Sequence, residues 1–314
     1  MKNKKIIILG ASGFIGKNLV LDLKNNYNIT GTFFHNKTSI KGVKFVKCDL
    51  TKKDQVDRVI KGADIVIQAA ATTSGAKDIV EKPFIHVNDN AIINSMVTRA
   101  CYHHAVKHVI VFSCTVMYRT SKKAQKETDF DPNKEMYPRY FGGGWMKVFV
   151  EKMCEFYSRL GKNKYTLIRH SNIYGQHDKY DLDKSHVFGA TVNKVVNCKN
   201  NNIAIWGNGK EGRDLLHIDD LTRFVKLAIK NQKDKYGLYN VGSGRLISIN
   251  NLVKKIVNAY NKNIQISNDL TKKSLSTSVF LDCKKAKKDI KWVPKISLEN
   301  GIKKTLKWYL NNKR

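Results

Sequence analysis

The chain has 314 residues, of which 42% are hydrophobic, and this is enough to bury a substantial core in one large or two modest domains. Its 57 lysines and arginines against 26 acidic residues give a formal net charge of +31, but the lysines are spread along the whole chain among many asparagines. We therefore interpret most of the charge as solvated surface and expect no nucleic-acid partner.

Neither a membrane span nor a metal site is expected. No apolar run approaches the ~20 residues that cross a bilayer, so we expect no membrane partner. The six cysteines are scattered and contain no C-x-x-C pair. This usage is typical of reduced thiols in a cytoplasmic protein, and it predicts neither disulfides nor a zinc site.

A glycine-rich turn follows the first predicted strand. The consecutive apolar residues Ile6 to Leu9 indicate a buried parallel strand, and a helical pattern begins directly after the turn. Gly10 permits the tight turn, Gly13 lets the backbone approach a pyrophosphate, and Gly16 lets the helix pack on the strand. The helix N-terminus offers free N–H groups to phosphates. The predicted dinucleotide-binding residues of this turn are Gly10, Ser12, Gly13, Phe14, Ile15 and Gly16.

The end of the second predicted strand, residues 28–34, bears on the choice of cofactor. In NAD-selective sites an acidic residue near this point holds the ribose 2′-OH, and none is present here. His35 and Lys37 are instead suited to facing a 2′-phosphate, which favours NADP(H). NAD(H) stays open as the alternative, since the two residues are also consistent with a solvated turn.

Strand and helix patterns alternate from residue 5 to residue 170, which predicts a doubly wound parallel sheet. Ligands of such sheets bind in the crevice outside the carboxyl ends of the strands, where small residues allow close approach. Further cofactor contacts are therefore expected at Asp49 and Leu50 after the third strand, at Ala69, Ala70 and Ala71 after the fourth, and at Asn88 on a helix over 88–105.

With its glycine turn, this alternation resembles the extended short-chain dehydrogenase/reductase family, and the similarity covers essentially the whole chain. Asn88 with Asn94 and the run Asn172-Ile173-Tyr174-Gly175 also match that family. The resemblance implies an α/β fold with a Rossmann-like NAD(P)-binding domain over 1–170 and a smaller C-terminal α/β lobe for a nucleotide-sugar substrate over 171–314. Segments near 214–245 are expected to return to the first domain, and the helices at 88–105 and 144–160 to pair in a homodimer.

The sequence departs from that family at its catalytic Tyr-x-x-x-Lys pair. Lys147 is in place, but Gly143 stands where the tyrosine belongs. In the family the phenol exchanges a proton with the sugar, helped by the neighbouring ammonium, and glycine cannot do so. The family's Ser/Thr position at the end of the fifth strand holds Cys114, with Ser113 beside it.

Three interpretations of this departure stay open. Tyr140 or Tyr137 swings into the vacant space, which the glycines at 142–144 would permit. Alternatively, Cys114, Lys147 or a water supplies the proton. In the third, catalysis has been lost and the protein only binds. Glycine inside a helix costs about 1 kcal/mol relative to alanine, so we expect the glycines to form a reshaped site or simply the loop before a helix that begins near residue 144.

Residues 174–187 are similar to a segment of GDP-L-fucose synthases that leads to a catalytic histidine, which corresponds to His186. In that family this histidine and a cysteine near the fifth strand exchange protons at C3 and C5 of a 4-keto sugar before hydride reduces C4. Imidazole titrates near neutrality and suits this role. Cys114 is the candidate for the second group, although it aligns with the Ser/Thr position instead.

Lys194 and Arg213 match the diphosphate contacts of that family, and Asn172 is expected to hold the substrate as well. The resemblance thus implies an NADP(H)-dependent C4 reductase of a nucleotide-linked 4-keto sugar, with or without epimerisation. The sugar is expected to be GDP-linked and to serve deoxysugar or heptose biosynthesis for polysaccharide. The alternatives are an epimerase or dehydratase that recycles tightly bound NAD, and a non-catalytic dinucleotide-binding protein.

Overall fold

The computed structural model describes residues 4–73, 81–182, 184–260, 262–272 and 275–312. Asp183, which belongs to the 174–187 segment, lies outside these ranges. The strands are β1 (Lys5–Leu9), β2 (Asn28–Phe33), β3 (Lys44–Lys47), β4 (Ile65–Gln68), β5 (His108–Cys114), β6 (Lys164–His170), β7 (Asn172–Tyr174), β8 (Asn202–Trp206), β9 (Gly212–Arg213), β10 (Leu215–His217), β11 (Tyr236–Val241), β12 (Ile247–Ser248) and β13 (Gln265–Asp269).

Helices connect most of these strands. The α-helices are α1 (Phe14–Leu23), α2 (Lys53–Ile60), α3 (Asn88–His103), α4 (Phe141–Arg159), α5 (Val187–Val196), α6 (Ile218–Asn231), α7 (Ile249–Tyr260) and α8 (Leu298–Asn312). Shorter helical turns lie at Pro83–His86, Glu127–Asp129, Pro138–Tyr140 and Ala286–Ile290.

A seven-stranded sheet in the order β3-β2-β1-β4-β5-β6-β11 forms the centre, and all its neighbouring strands run parallel. Ile6 and Ile8 of β1 pack in the same apolar cluster as α1 and α6, whereas Ile7 and Leu9 pack with α2, α3 and α4. All four side chains are fully buried, as expected of a parallel strand covered on both faces. The predicted Rossmann-like sheet is therefore confirmed.

The remaining elements form a smaller lobe. Here α5, α7 and α8 enclose an apolar cluster together with the parallel pair β8 and β13, and the ring of Tyr174 stacks on that of Phe188 with centroids 4.1 Å apart. Both β11 and α6 follow residue 170 in sequence but pack with the main sheet. An ion pair of 2.7 Å between Lys226 of α6 and Asp22 of α1 spans this packing.

The start of α4 differs from the sequence-based expectation. The helix begins at Phe141, so the three glycines at 142–144 lie in its first turn and do not form the loop before it. A Cβ on Gly142 would lie 2.9 Å from a methyl of Val87, and one on Gly144 would lie 2.5 Å from the sulfur of Met136. Close packing of this turn against its neighbours therefore outweighs the low helix propensity of glycine.

A buried polar network ties β5, β6 and α4 together below the carboxyl edge of the sheet. Arg169 donates to both oxygens of Glu151, at 2.9 Å through Nε and 2.6 Å through Nη2. Its Nη1 donates to the hydroxyl of Tyr118 at 2.8 Å, and that hydroxyl donates to Asn240 of β11 at 2.8 Å. Both charged side chains are nearly inaccessible, with exposed fractions of 4% and 5%.

Breaking this pair by Arg169→Leu leaves the Glu151 carboxylate buried without its cation. We expect the free energy of unfolding to fall by about 3–5 kcal/mol, since an uncompensated buried charge carries that cost. Denaturant unfolding measures the change. The matched control is Glu155→Gln on the same helix, whose carboxylate pairs at the surface with Arg159, and it should change the stability by less than about 1 kcal/mol. Equal losses of stability in the two variants would contradict the conclusion that the ion pair of Arg169 and Glu151 is buried and essential to the fold.

Candidate active site

The glycine turn after β1 has the geometry of a dinucleotide cradle. Gly10 has a φ of +73°, and a Cβ there would lie 2.6 Å from the Cα of Ala70 on β4's continuation. A Cβ on Gly16 would overlap the carbonyl oxygen of Gly10. The turn is closed by a hydrogen bond from the Gly13 N–H to the Gly10 carbonyl at 3.0 Å. Side chains are thus excluded where backbone must approach backbone.

The N-terminus of α1 is free to receive an anion. Gly13 is its N-cap, no side chain caps it, and its first turn contains no acidic residue. The N–H groups and positive dipole end of such a helix favour phosphate. Ser12 is half-buried and Gly13 exposed, so both are accessible, with Phe14 and Ile15 half-buried beside them. The residues present therefore fit the pyrophosphate of a nicotinamide dinucleotide.

The end of β2 presents cations and no carboxylate of its own. His35 and Lys37 are both exposed. Asp49, at the end of neighbouring β3, accepts hydrogen bonds from the hydroxyl of Thr51 at 2.7 Å and from its N–H at 3.0 Å. These bonds, the hydroxyl first, lower the pKa of the Asp49 carboxyl. Leu50 beside it is buried.

Asn90 of α3 holds the segment that follows β4, whereas the cofactor contact expected of Asn88 stays a prediction. Asn88 is exposed at the first residue of α3. The amide of Asn90 instead bonds the N–H and carbonyl of Thr72 at 2.9 and 3.0 Å, and so holds the segment that continues from Ala69, Ala70 and Ala71. Asn90 is spaced four residues before the predicted Asn94 and thus lies on the same helix face, a signal in the sequence that distinguishes it from Asn88.

Lys147 lies one helical turn beyond Gly143 on the same face of α4. Its Nζ donates to the carbonyl of Phe112 on β5 at 3.0 Å. Within the described chain no atom outside the helix backbone lies within 4 Å of where a Cβ on Gly143 would be. The point at which a tyrosine side chain would begin is therefore open, and no atom of Tyr140 or Tyr137 occupies it.

Ser113 and Cys114 point to opposite faces because adjacent residues of a strand alternate. Ser113 is fully buried and donates to Glu151 at 2.6 Å, so it belongs to the Arg169 network. The catalytic role expected of Ser113 stays a prediction, and the contact that the structure shows for its hydroxyl is the one to Glu151. Cys114 lies near the charge of Lys147, and burial raises the pKa of its thiol while that charge opposes the rise.

Tyr140 ends the helical turn before α4 and belongs to the substrate side of the cleft. Its phenol is hydrogen-bonded to the side chain of Thr277 and lies near the charge of Arg213. Burial raises the pKa of this phenol, so the phenol keeps its proton at neutral pH. The ring of Tyr137 packs edge-on against it with centroids 5.4 Å apart. The phenol also lies within electrostatic range of Cys114, and the interpretation in which Tyr140 replaces the missing phenol stays a prediction.

Two histidines lie at the open side of the cleft. His186 is the N-cap of α5, and desolvation within the cleft lowers its pKa, followed by the charges of Lys179 and His86. His170, which the sequence analysis did not single out, ends β6 and lies within electrostatic range of both Lys147 and His186. The signal that locates it is the pairing of His170 with Cys114 in the register of β5 and β6.

The expected substrate contacts occupy separate positions. The guanidinium of Arg213 donates to the carbonyls of Gly212 and Leu275 at 2.8 and 3.1 Å, and also to that of Thr277. Asn172 donates to the carbonyl of Asp214 at 3.2 Å. These carbonyl contacts fix both side chains in position.

Lys194 is near the far end of α5. Its Nζ donates to the Ala204 carbonyl at 2.9 Å and lies 6.0 Å from the ring centroid of Trp206, while burial lowers its pKa. The roles of Lys194 and Arg213 as diphosphate ligands stay predictions.

The described residues contain no group of three or more histidine, cysteine or acidic side chains arranged to hold a metal ion. Likewise, no helix in the described part of the chain is long and apolar enough to cross a membrane.

We expect Gly16→Ala to weaken the binding of both NADP⁺ and NAD⁺, since its methyl overlaps the Gly10 carbonyl and such overpacking costs about 1–3 kcal/mol. Calorimetric titration measures the affinities. Gly143→Ala is the matched control, because its methyl meets no neighbour and alanine in a helix is more favourable by about 0.5–1 kcal/mol. Unchanged dinucleotide affinity in a folded Gly16→Ala protein would contradict the conclusion that the glycine turn after β1 binds the dinucleotide.

Comparison with known proteins identifies the family. Over 321 residues the chain is 25% identical to a GDP-L-fucose synthase from Azorhizobium caulinodans, covering 98% of this chain and 97% of that protein. It is 23% identical to a GDP-L-colitose synthase from Yersinia pseudotuberculosis, with coverages of 98% and 99%. The structure of a UDP-glucose 4-epimerase from Thermotoga maritima with UDP-glucose matches with a TM-score of 0.84 at 24% identity, with coverages of 99% and 100%. A model of the NAD dependent epimerase/dehydratase family matches residues 6–242, and the chain belongs to that family.

Proposed function

We propose that this protein is an NADP(H)-dependent reductase acting at C4 of a nucleotide-linked 4-keto sugar. The observation that carries the proposal is the convergence of the site. Lys147 lies within electrostatic range of Cys114 and His170, and His170 lies within the same range of His186. They stand beyond the carboxyl edge of the sheet that also presents the dinucleotide cradle. When bound, the dinucleotide supplies the hydride for C4.

Each residue of the site has a proposed task. Lys147, anchored on the Phe112 carbonyl, holds the nicotinamide ribose and supplies positive charge near the keto oxygen. Cys114 keeps its proton at neutral pH because its pKa is raised, so its thiol serves as a hydrogen-bond donor. His186 moves a sugar proton. Substrate is held by Asn172, Arg213 and Lys194, with Tyr140 beside Arg213.

The nucleotide is proposed to be GDP, supported by similarity to a GDP-L-fucose synthase and a GDP-L-colitose synthase. The likeness to a UDP-sugar epimerase structure supports the fold alone. Residues 1–170 and 171–314 are proposed as the cofactor and substrate halves, with β11 and α6 of the second half completing the first. Cytoplasmic deoxysugar or heptose synthesis for polysaccharide is the proposed setting.

A homodimer is proposed to form through α3 and α4. Ile92, Phe149 and Phe156 on these helices are exposed by 41%, 49% and 57% and would be covered in such a dimer. Sedimentation at micromolar concentration tests the proposal, and a monomer would contradict it.

A non-catalytic dinucleotide-binding protein is the second candidate, because Gly143 lacks the phenol that the family uses. It predicts tight NADPH binding without turnover of a keto sugar. In that case Lys147→Met would change the affinity for NADPH and nothing else.

NADP(H) selectivity is proposed to depend on Lys37. We expect Lys37→Glu to weaken NADPH binding far more than NADH binding, because the new carboxylate repels a 2′-phosphate and can accept a bond from a 2′-OH. Fluorescence titration with both cofactors measures the ratio. Lys230→Glu, an equal charge change at the exposed end of α6, is the control. Equal loss for both cofactors would argue against this role.

The function is tested with NADPH and GDP-4-keto-6-deoxymannose in deuterated water, followed by nicotinamide absorbance and product NMR. We expect NADPH to be oxidised stoichiometrically. Deuterium at C3 and C5 would identify an epimerase and reductase, and His186→Ala should then stop the exchange. Oxidation without deuterium would identify a plain C4 reductase.

The control for His186→Ala is His103→Ala, which changes a histidine at an exposed position on α3. Turnover without net cofactor consumption would indicate an epimerase or dehydratase that recycles NAD. Tight NADPH binding with no turnover would contradict the proposal and favour the second candidate.

A further inference from the structure

His170 ends β6 at the carboxyl edge of the sheet, within electrostatic range of Lys147. Its Cα pairs with that of Cys114 in the parallel register of β5 and β6, so the two side chains share a face at the carboxyl edge of the sheet. Lys147 reaches the same edge from α4 through its bond to Phe112. The His170 ring lies edge-on to that of Phe112, with centroids 6.1 Å apart.

One hydrogen bond fixes the tautomer of this imidazole. Nδ1 lies 2.7 Å from the carbonyl oxygen of Ser171, and a carbonyl only accepts, so Nδ1 carries the hydrogen. Nε2 is therefore the unprotonated nitrogen of the neutral ring. The residue is half-buried, and Nε2 has no hydrogen-bond partner in the described part of the chain.

A structural histidine elsewhere in the sheet shows the contrast. His108 is buried between strands, and its Nε2 lies 2.7 Å from the hydroxyl of Thr166 on β6. The ring of His170, at the other end of β6, has no hydrogen-bond partner at Nε2 among the described residues, and it lies within electrostatic range of Lys147. A ring that is anchored at one nitrogen and free at the other is arranged to exchange a proton.

The surroundings keep this imidazole neutral in the resting protein. The pKa of His170 is lowered to about 4, chiefly by burial, with the charges of Lys147 on α4 and His186 at the start of α5 acting in the same direction and the bond to Ser171 opposing them. Cys114 on β5 faces it with a protonated thiol. A neutral Nε2 is ready to accept a proton from a hydroxyl at neutral pH.

On the basis of the proposed function, we propose that His170 is a catalytic residue that exchanges the proton of the C4 oxygen in place of the missing tyrosine. In oxidation, the O–H bond breaks and its proton forms an N–H bond at Nε2, while C4 loses a hydride to the oxidised nicotinamide. In reduction, Nε2 first takes up a proton from water, and this N–H bond breaks as the O–H bond forms at the C4 oxygen, while C4 gains the hydride that the bound dinucleotide would supply. The proton and the two electrons are balanced in both directions.

The test uses His170→Gln and Gly143→Tyr, singly and together. With NADPH and GDP-4-keto-6-deoxymannose, His170→Gln should lower kcat by about 100-fold or more, the usual contribution of general acid–base catalysis. Gly143→Tyr restores the phenol one turn before Lys147, at a position where a Cβ meets no neighbour. In the Gly143→Tyr protein, His170→Gln should lower kcat by much less than 100-fold. His103→Gln is the matched control and should leave kcat unchanged.

The outcomes separate a proton-transfer role from a structural one. An unchanged kcat for His170→Gln would overturn the inference, as would an equal loss in both backgrounds, since packing would be disturbed in both. Unchanged NADP⁺ affinity in His170→Gln verifies that the fold is intact.

A second measurement does not depend on turnover. Imidazole ¹⁵N NMR of the wild-type protein should show His170 as the Nδ1–H tautomer, with an Nε2 resonance that moves when NADP⁺ binds. The Nε2–H tautomer, or a resonance that ignores NADP⁺, would overturn the inference. If NADPH binds but no keto sugar is reduced, the proposed function fails, and this NMR result alone decides whether His170 faces the cofactor.

Discussion

The carboxylate of Glu151 accepts three hydrogen bonds where water does not reach it, two from Arg169 of β6 and one from Ser113 of β5. Since Glu151 lies on α4, one helical turn beyond Lys147, this contact sets the position of the helix against both strands. The loop after β5 joins the same network through Tyr118. Removing either charge leaves the other unpaired in the interior, so the pair contributes to stability only when both side chains are present.

Placing α4 in this way determines what the cleft contains. The strands end together at one edge, so Cys114 and His170 emerge side by side from β5 and β6. Lys147 reaches the same edge from the helix and meets the carbonyl of Phe112. The cofactor cradle opens at the end of β1, where the order of the strands reverses direction. A few backbone geometries thus gather side chains that are far apart in the sequence.

The sequence was sufficient to predict the sheet and its glycine turn, because buried parallel strands and tight turns leave local signals. It was wrong about the start of α4, since propensity describes an isolated helix and not one packed against Val87 and Met136. Ser113 and Cys114 were not separable without knowing that β5 extends to residue 114. His170 went unnoticed because its significance arises from strand register, which no single stretch of sequence records.

The bond between Lys147 and the Phe112 carbonyl has a thermodynamic consequence for cofactor capture. Restricting the rotamers of a lysine side chain costs up to about 1.5–2 kcal/mol of conformational entropy. Here that ordering accompanies folding, because the ammonium is already tethered, and two further N–H donors stay available to a ribose. In the role proposed for Lys147 at the nicotinamide ribose, association therefore begins from a preorganised lysine, and less of the interaction energy is lost to immobilising it.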